Sequence, residues 1–216
     1  LVELNLNDNP VTNYSGVAGL TRLRRLLFDN AGIQDLSFLA DLEDLTSLEI
    51  YGNAIQDISP LGALAGLQSL QLDWNPVTNH WPLTNLMQLE RVSLAGNGVT
   101  NLDFTQFMPA LRHLGLYCDQ VKDLSPLAGR TELLSLGLGW NGVTNLAVLA
   151  TLTGLEELLL NGNPLTNVVY LAGLTNLTSL ALDYTELVDM SPVTNLTRLA
   201  WLNVGETGLA DLPDLS

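Results

Sequence analysis

Leu67-Gln-Ser-Leu70-Gln-Leu72-Asp-Trp-Asn75-Pro-Val77 is the stretch on which the fold turns. Around Leu70 and Leu72 apolar and polar residues alternate, the two-residue period of a short strand with one face buried and the other open. Asn75 stands where the chain must leave that strand. Its amide can donate to and accept from the peptide groups of a turn, so it satisfies backbone that would otherwise be buried without partners. Val77 then returns an apolar side chain to the interior. The phrase recurs every 22 residues: Leu67 belongs to a column of leucines at Leu1, Leu23, Leu45, Leu67, Leu89, Leu111, Leu133, Leu155, Leu177 and Leu199. The columns that begin at Leu4, Leu6 and Val11 are apolar in all ten repeats too, in a chain that is 47% hydrophobic. A period this strict reports a stack of identical coils.

Ten units starting at residues 1, 23, 45, 67, 89, 111, 133, 155, 177 and 199 leave no linker, so the spacing predicts a single domain over 1–216. The asparagine column runs through Asn9, Asn53, Asn75, Asn97, Asn141 and Asn163 and is broken by Ala31, Asp119, Thr185 and Thr207. At Ala31, which has no amide, Asn30 or a water is expected to stand in. Four residues beyond the asparagine place comes Asp or Asn in every repeat, followed in several by Ser-Pro-Leu, as at Ser59-Pro60-Leu61 and Ser125-Pro126-Leu127. Serine as cap and proline in the first turn predict a short helix or 3₁₀ turn on the return path. Leu1 is already a strand residue and Ser216 falls four short of a full tenth repeat, the expectation for a fragment without terminal caps.

The pattern Leu-x-x-Leu-x-Leu-x-x-Asn-x-Val/Ile resembles the leucine-rich-repeat family over the whole chain. The 22-residue length and phrases such as Ile55-Gln-Asp-Ile-Ser-Pro-Leu61 resemble the internalin-type repeats of bacterial surface proteins. A related branch with repeats of this length is the eukaryotic regulatory subunit of protein phosphatase 1. The resemblance implies an α/β solenoid: a right-handed superhelix with a concave parallel sheet, short 3₁₀ or helical convex turns, and a role in gripping other proteins. Arg130, Thr105, His80 and Tyr14 depart from the apolar pattern of the convex side and are expected to alter local coil shape.

The formal charge of −15, from 23 acidic and 8 basic residues, argues against a nucleic-acid backbone or an anionic membrane surface as partner. No apolar run approaches the roughly 20 residues of a membrane span. Cys118 is the single cysteine, so no internal disulfide can form. An extracellular or cell-surface place in a bacterium follows from the resemblance, with a cytoplasmic one left open.

Side chains alternate across a strand, so the third, fifth, seventh and eighth places of each repeat face outward and are free to vary. Tyr51, Trp74, Tyr117, Trp140, Tyr184 and Trp201 lie there, beside Asp73, Arg91 and His113, with Ala95, Gly96, Gly115, Gly137 and Gly139 between them. Aromatic anchors with arginine are common hot-spot chemistry, and glycine in a strand marks close approach by another backbone. These nine residues are the candidate binding surface. A protein is the expected partner, a carbohydrate a second one, since planar rings flanked by Asp and Asn suit sugars. Rings packing on each other across strands would be the purely structural reading.

Chemistry is expected to be absent. Gly137-Leu-Gly139-Trp-Asn-Gly142 matches a dinucleotide-binding pattern, but its glycines fall in a strand and a turn with no long helix to follow. His80 and His113 occupy different places in the repeat, Cys118 has no orienting partner, and the column of Asp35, Asp57, Asp123, Asp189 and Asp211 alternates with Asn as a turn residue does. The sequence therefore calls for no cofactor, no metal and no enzyme. It reads as a protein-binding scaffold, with two alternatives: a structural chain that self-associates end to end into a fibre or sheath, and an intracellular phosphatase-type regulator.

Overall fold

The structure, a computed structural model, describes residues 1–214. Ten three-residue strands fall at one place in the repeat: β1 (Glu3–Asn5), β2 (Arg25–Leu27), β3 (Ser47–Glu49), β4 (Ser69–Gln71), β5 (Arg91–Ser93), β6 (His113–Gly115), β7 (Ser135–Gly137), β8 (Glu157–Leu159), β9 (Ser179–Ala181) and β10 (Trp201–Asn203). The chain forms two compact units, one of residues Leu1–Gly98 with Phe104–Leu111, the other of Val99–Asp103 with the chain from Arg112 on. In the first, β1 to β5 pair in parallel with a constant step of one repeat, Leu4 beside Leu26, Leu48, Leu70 and Val92. In the second, β6 to β10 do the same through Leu114, Leu136, Leu158, Leu180 and Leu202. A slip of one residue would turn every leucine outward, so the repeat length itself fixes the register.

Each unit is built around the apolar columns, with Leu48, Ile50, Ile55 and Leu61 of the first and Leu136, Leu138, Val143 and Leu149 of the second at 0% exposure. The asparagines close the turn. Asn75, 1% exposed, donates through Nδ2 to the carbonyls of Ile50 in the preceding coil (2.9 Å) and of Leu72 and Asp73 in its own, and its Oδ1 accepts the N–H of Ile55 (3.1 Å). Asn163 repeats this in the second unit, donating to Leu138 and Leu160 and accepting from Val143. Where the column departs from Asn, part of the work survives: Asp119 accepts the N–H of Val99, and Thr185 donates its hydroxyl to the Leu182 carbonyl. Asn30 does not stand in for Ala31. Its amide donates outward to Asp8, while Asn53 of the next coil supplies both the acceptor for the Ala31 N–H and the donor to the Phe28 carbonyl.

On the return path the first unit opens with a four-residue α-helix, α1 (Ser15–Ala18), and the later coils carry 3₁₀ turns such as Ser59–Ala63 and Ser191–Asn195. Serine is not the cap expected of it. In Ser59–Ala63 the capping role falls to Asp57, whose Oδ1 accepts the Ser59 N–H and whose Oδ2 accepts the Ser59 hydroxyl, both at 2.8 Å. Asp35, Asp123 and Asp189 bond Ser37, Ser125 and Ser191 in the same way. These serine hydrogen bonds hold the four carboxyls below their ordinary value of 3.8.

Rings and a threonine replace aliphatic packing at the departures in the first unit. Tyr14 stacks on Phe38 (centroids 4.7 Å apart) and meets Phe28 edge-on, and Thr105 is fully buried. His80 stacks on Phe104 at 5.6 Å, its Nε2 without a hydrogen bond among the described residues, and burial pushes its pKa down from 6.5 to about 4.

Two outcomes are expected. Asn75→Ala leaves buried carbonyls and an N–H without partners and costs about 2–4 kcal/mol in urea unfolding, against about 0.5 kcal/mol for Asn9→Ala at the exposed first turn; equal costs would refute the ladder. His80 favours its neutral form in the fold, so its contribution is complete above pH 6.5 and is lost as pH falls toward about 4. The urea midpoint should decline across that window, and His80→Phe, which keeps the stack on Phe104, should flatten the decline.

Candidate functional site

At the eighth place of every repeat, three residues past the strand, the backbone is left-handed. Asp8, Asn30, Gly52, Trp74, Gly96, Cys118, Trp140, Gly162, Tyr184 and Glu206 all have φ between 52° and 68°. The inter-coil ladder demands it. As the chain turns inward this residue still donates its N–H to the next coil's carbonyl, Trp74 to Ala95 at 2.7 Å in the first unit and Trp140 to Asn161 at 2.8 Å in the second. Glycine takes this conformation freely and Asn or Asp at modest cost; a bulky side chain there costs roughly 1–2 kcal/mol. Trp74, Trp140 and Tyr184 accept that cost and stand 46%, 45% and 56% exposed.

The neighbouring glycines are shaped to the rings. A Cβ on Gly96 would lie 2.6 Å from Cε3 of Trp74, and one on Gly162 would overlap the Trp140 indole, so each indole lies flat across the glycine of the following coil. Beyond Gly162, Trp140 meets Tyr184 with ring centroids 5.7 Å apart. Tyr117 likewise covers Gly139, where a Cβ would come within 2.9 Å of its ring and 2.6 Å of Asn161 Oδ1. Burial, and then Cys118 and the Asp183 carboxylate, raise the Tyr117 phenol above its ordinary 10.0.

The nine expected residues are thus sorted. In the second unit Tyr117, Trp140 and Tyr184 share one shelf at the turn, while half-buried His113 on β6 and exposed Trp201 on β10 lie at the third place of their repeats, outside it. In the first unit Trp74 stands over Gly96, Tyr51 is half-buried, and Arg91 is exposed beside Glu90 at 3.6 Å. Asp73 is 7% exposed and holds structure: its Oδ1 accepts the Ala95 N–H at 2.8 Å. Asp29 serves Tyr51 in the same manner, with burial raising its pKa. Arg25 spans three strands, bonded to Glu49 at 2.8 Å and near Glu3 at 3.5 Å. Gly96 was expected among the small residues between the rings, and Gly162 was missed as part of the surface. The signal was available in a column that mixes Gly, Asn and Asp with large rings.

Among the described residues no group of His, Cys, Asp and Glu is placed to hold a metal, and no helix is long and apolar enough to cross a membrane. Parallel three-residue strands, an asparagine-closed turn and a capped 3₁₀ return define a leucine-rich-repeat protein. Neither a family model nor a curated protein matches the chain. Among solved structures it is similar to an internalin (InlF) of Listeria monocytogenes, with 32% identity and a TM-score of 0.89 over 98% of this chain and 63% of that one. It is also similar to internalin C2 of the same organism, with 30% identity and a TM-score of 0.75 over 81% of this chain and 77% of that one. The functional domain of InlJ, 20% identical with a TM-score of 0.73, covers 99% of this chain and 55% of its own, and shares the fold. The chain belongs to the internalin-type leucine-rich-repeat proteins. It spans 63% of the InlF structure's length.

If the turn is held left-handed, glycine at position 74 should be more stable than alanine. Trp74→Gly is expected to unfold about 1 kcal/mol later than Trp74→Ala. Alanine equal to or better than glycine in thermal or urea unfolding would contradict the assignment.

Proposed function

We propose that each unit binds a protein through the outward side of its strands and the ring shelf at the strand ends, as the recognition part of a bacterial surface or secreted protein. One observation carries this reading: Trp74, Trp140 and Tyr184 occupy left-handed positions, at φ of 55°, 58° and 54°, that glycine fills at no cost in neighbouring repeats. Stability is better served by Gly, Asn or Asp there, and strain maintained at exposed aromatic residues is characteristic of sites that meet a ligand. Tryptophan and tyrosine bring large contact area with few rotatable bonds, and a shelf already set by the backbone loses little entropy on association. The similarity to InlF and internalin C2 supports a bacterial scaffold rather than a phosphatase regulator.

The test is an array of folded extracellular proteins probed with the whole chain and with a Trp74→Gly/Trp140→Gly variant. Glycine keeps the turn, so the variant's melting transition should stay within a few degrees while saturable hits weaken about tenfold or more. Hits of unchanged affinity would remove the ring shelf from the binding surface.

A further inference from the structure

At the seventh place of the repeat, polar side chains of the first unit are consumed by the scaffold. Asn7 Oδ1 accepts the Asp29 N–H, Asp29 Oδ1 the Tyr51 N–H, and Asp73 Oδ1 the Ala95 N–H, each at 2.8 Å. In the second unit this ladder stops. The N–H that Asp183 would take, that of Gly205, donates to Asn203 Oδ1 at 3.1 Å. Neither the Asp183 carboxylate nor the Asn161 side-chain amide makes a hydrogen bond with any described residue.

These two groups adjoin the shelf. Asn161 Oδ1 and the Tyr117 ring converge over Gly139, and Asp183 is close enough to Tyr117 to act on its phenol. Trp140 and Tyr184, both about half exposed and 5.7 Å apart, stand one residue along the chain from Gly139 and Asp183. A carboxylate and an amide oxygen freed from structural duty, beside three aromatic rings, make a receptor for a planar cation. The guanidinium of arginine fits best, because it stacks on ring faces and presents a fork of donors to a carboxylate. The chain's charge of −15 favours a basic segment over an acidic one.

We infer that the Tyr117, Trp140 and Tyr184 shelf, with Asn161 and Asp183, takes an arginine side chain from a basic segment of a partner protein. This rests on the protein-binding reading above and adds the residue type that the second unit selects.

The probe is acetyl-Gly-Arg-Gly amide, titrated into the whole chain and followed by the NMR shift of the Trp140 indole N–H. Acetyl-Gly-Glu-Gly amide and methyl α-glucoside serve as comparisons. The arginine peptide should give a saturable shift at Trp140 with a millimolar Kd and leave the Trp74 indole in place. Asp183→Asn should weaken it about fivefold, as should Tyr184→Asn, which keeps a residue tolerant of positive φ. Equal responses to the arginine and glutamate peptides, saturation by the glucoside alone, or indifference to Asp183→Asn would each overturn the inference. In the array, hits lost with the Trp74→Gly/Trp140→Gly variant but insensitive to Asp183→Asn would leave the binding surface standing and remove the cation. Hits insensitive to both would remove the surface itself.

Discussion

Where the chain leaves each strand its peptide carbonyls turn into the interior, and in six of the ten repeats a single asparagine gives them their partners. Asn75 bonds the Ile50 carbonyl of the preceding coil together with the Leu72 and Asp73 carbonyls of its own, so it closes its turn and fastens that turn to its neighbour. Leucine packing supplies most of the burial, but it is not directional. The amide bonds make a coil of one length and one register the favoured solution, and the strand pairs then fall one repeat apart throughout each unit.

That arrangement dictates what happens on the outside. To keep donating to the next coil while the chain bends inward, the residue before the asparagine place must be left-handed, whichever side chain it carries. Where that residue is Gly52, Gly96 or Gly162, the turn is relaxed. Where it is Trp74, Trp140 or Tyr184, a ring is held out over the following coil by a conformation the side chain itself disfavours. The scaffold's hydrogen bonds thus fix the direction of the rings. Rigid rings on a rigid frame are the economical way to hold a surface ready for a partner.

Much of this was legible in the chain. Strand positions, the inward columns and the asparagine turns follow from a strict period of 22. Three readings went astray for identifiable reasons. Ser59 looked like a cap because serine before proline often is one, yet Asp57, two residues earlier, reaches both its N–H and its hydroxyl. Asn30 looked like a substitute for an amide at position 31, but the left-handed backbone carries its side chain outward to Asp8. Asp73 looked free because alternation places it outward, while the adjoining turn folds it back against the Ala95 N–H. Alternation holds within a strand and fails at the first turn residue, which is where the shelf is built.

The two units share this backbone and differ in what its turns present: a carboxylate ladder with Trp74 in the first, a cluster of rings with unengaged Asn161 and Asp183 in the second. Both depend on the claim that hydrogen bonds between coils hold large aromatic residues at positive φ. Intraresidue amide-to-Hα cross-peaks in a nuclear Overhauser spectrum report φ directly, because the two protons approach more closely in the left-handed region. Strong intraresidue peaks are expected at Trp74, Trp140 and Tyr184, matching those of Asp8 and Asn30 in the same column. Weak peaks at the three rings, of the size seen within the strands, would contradict it.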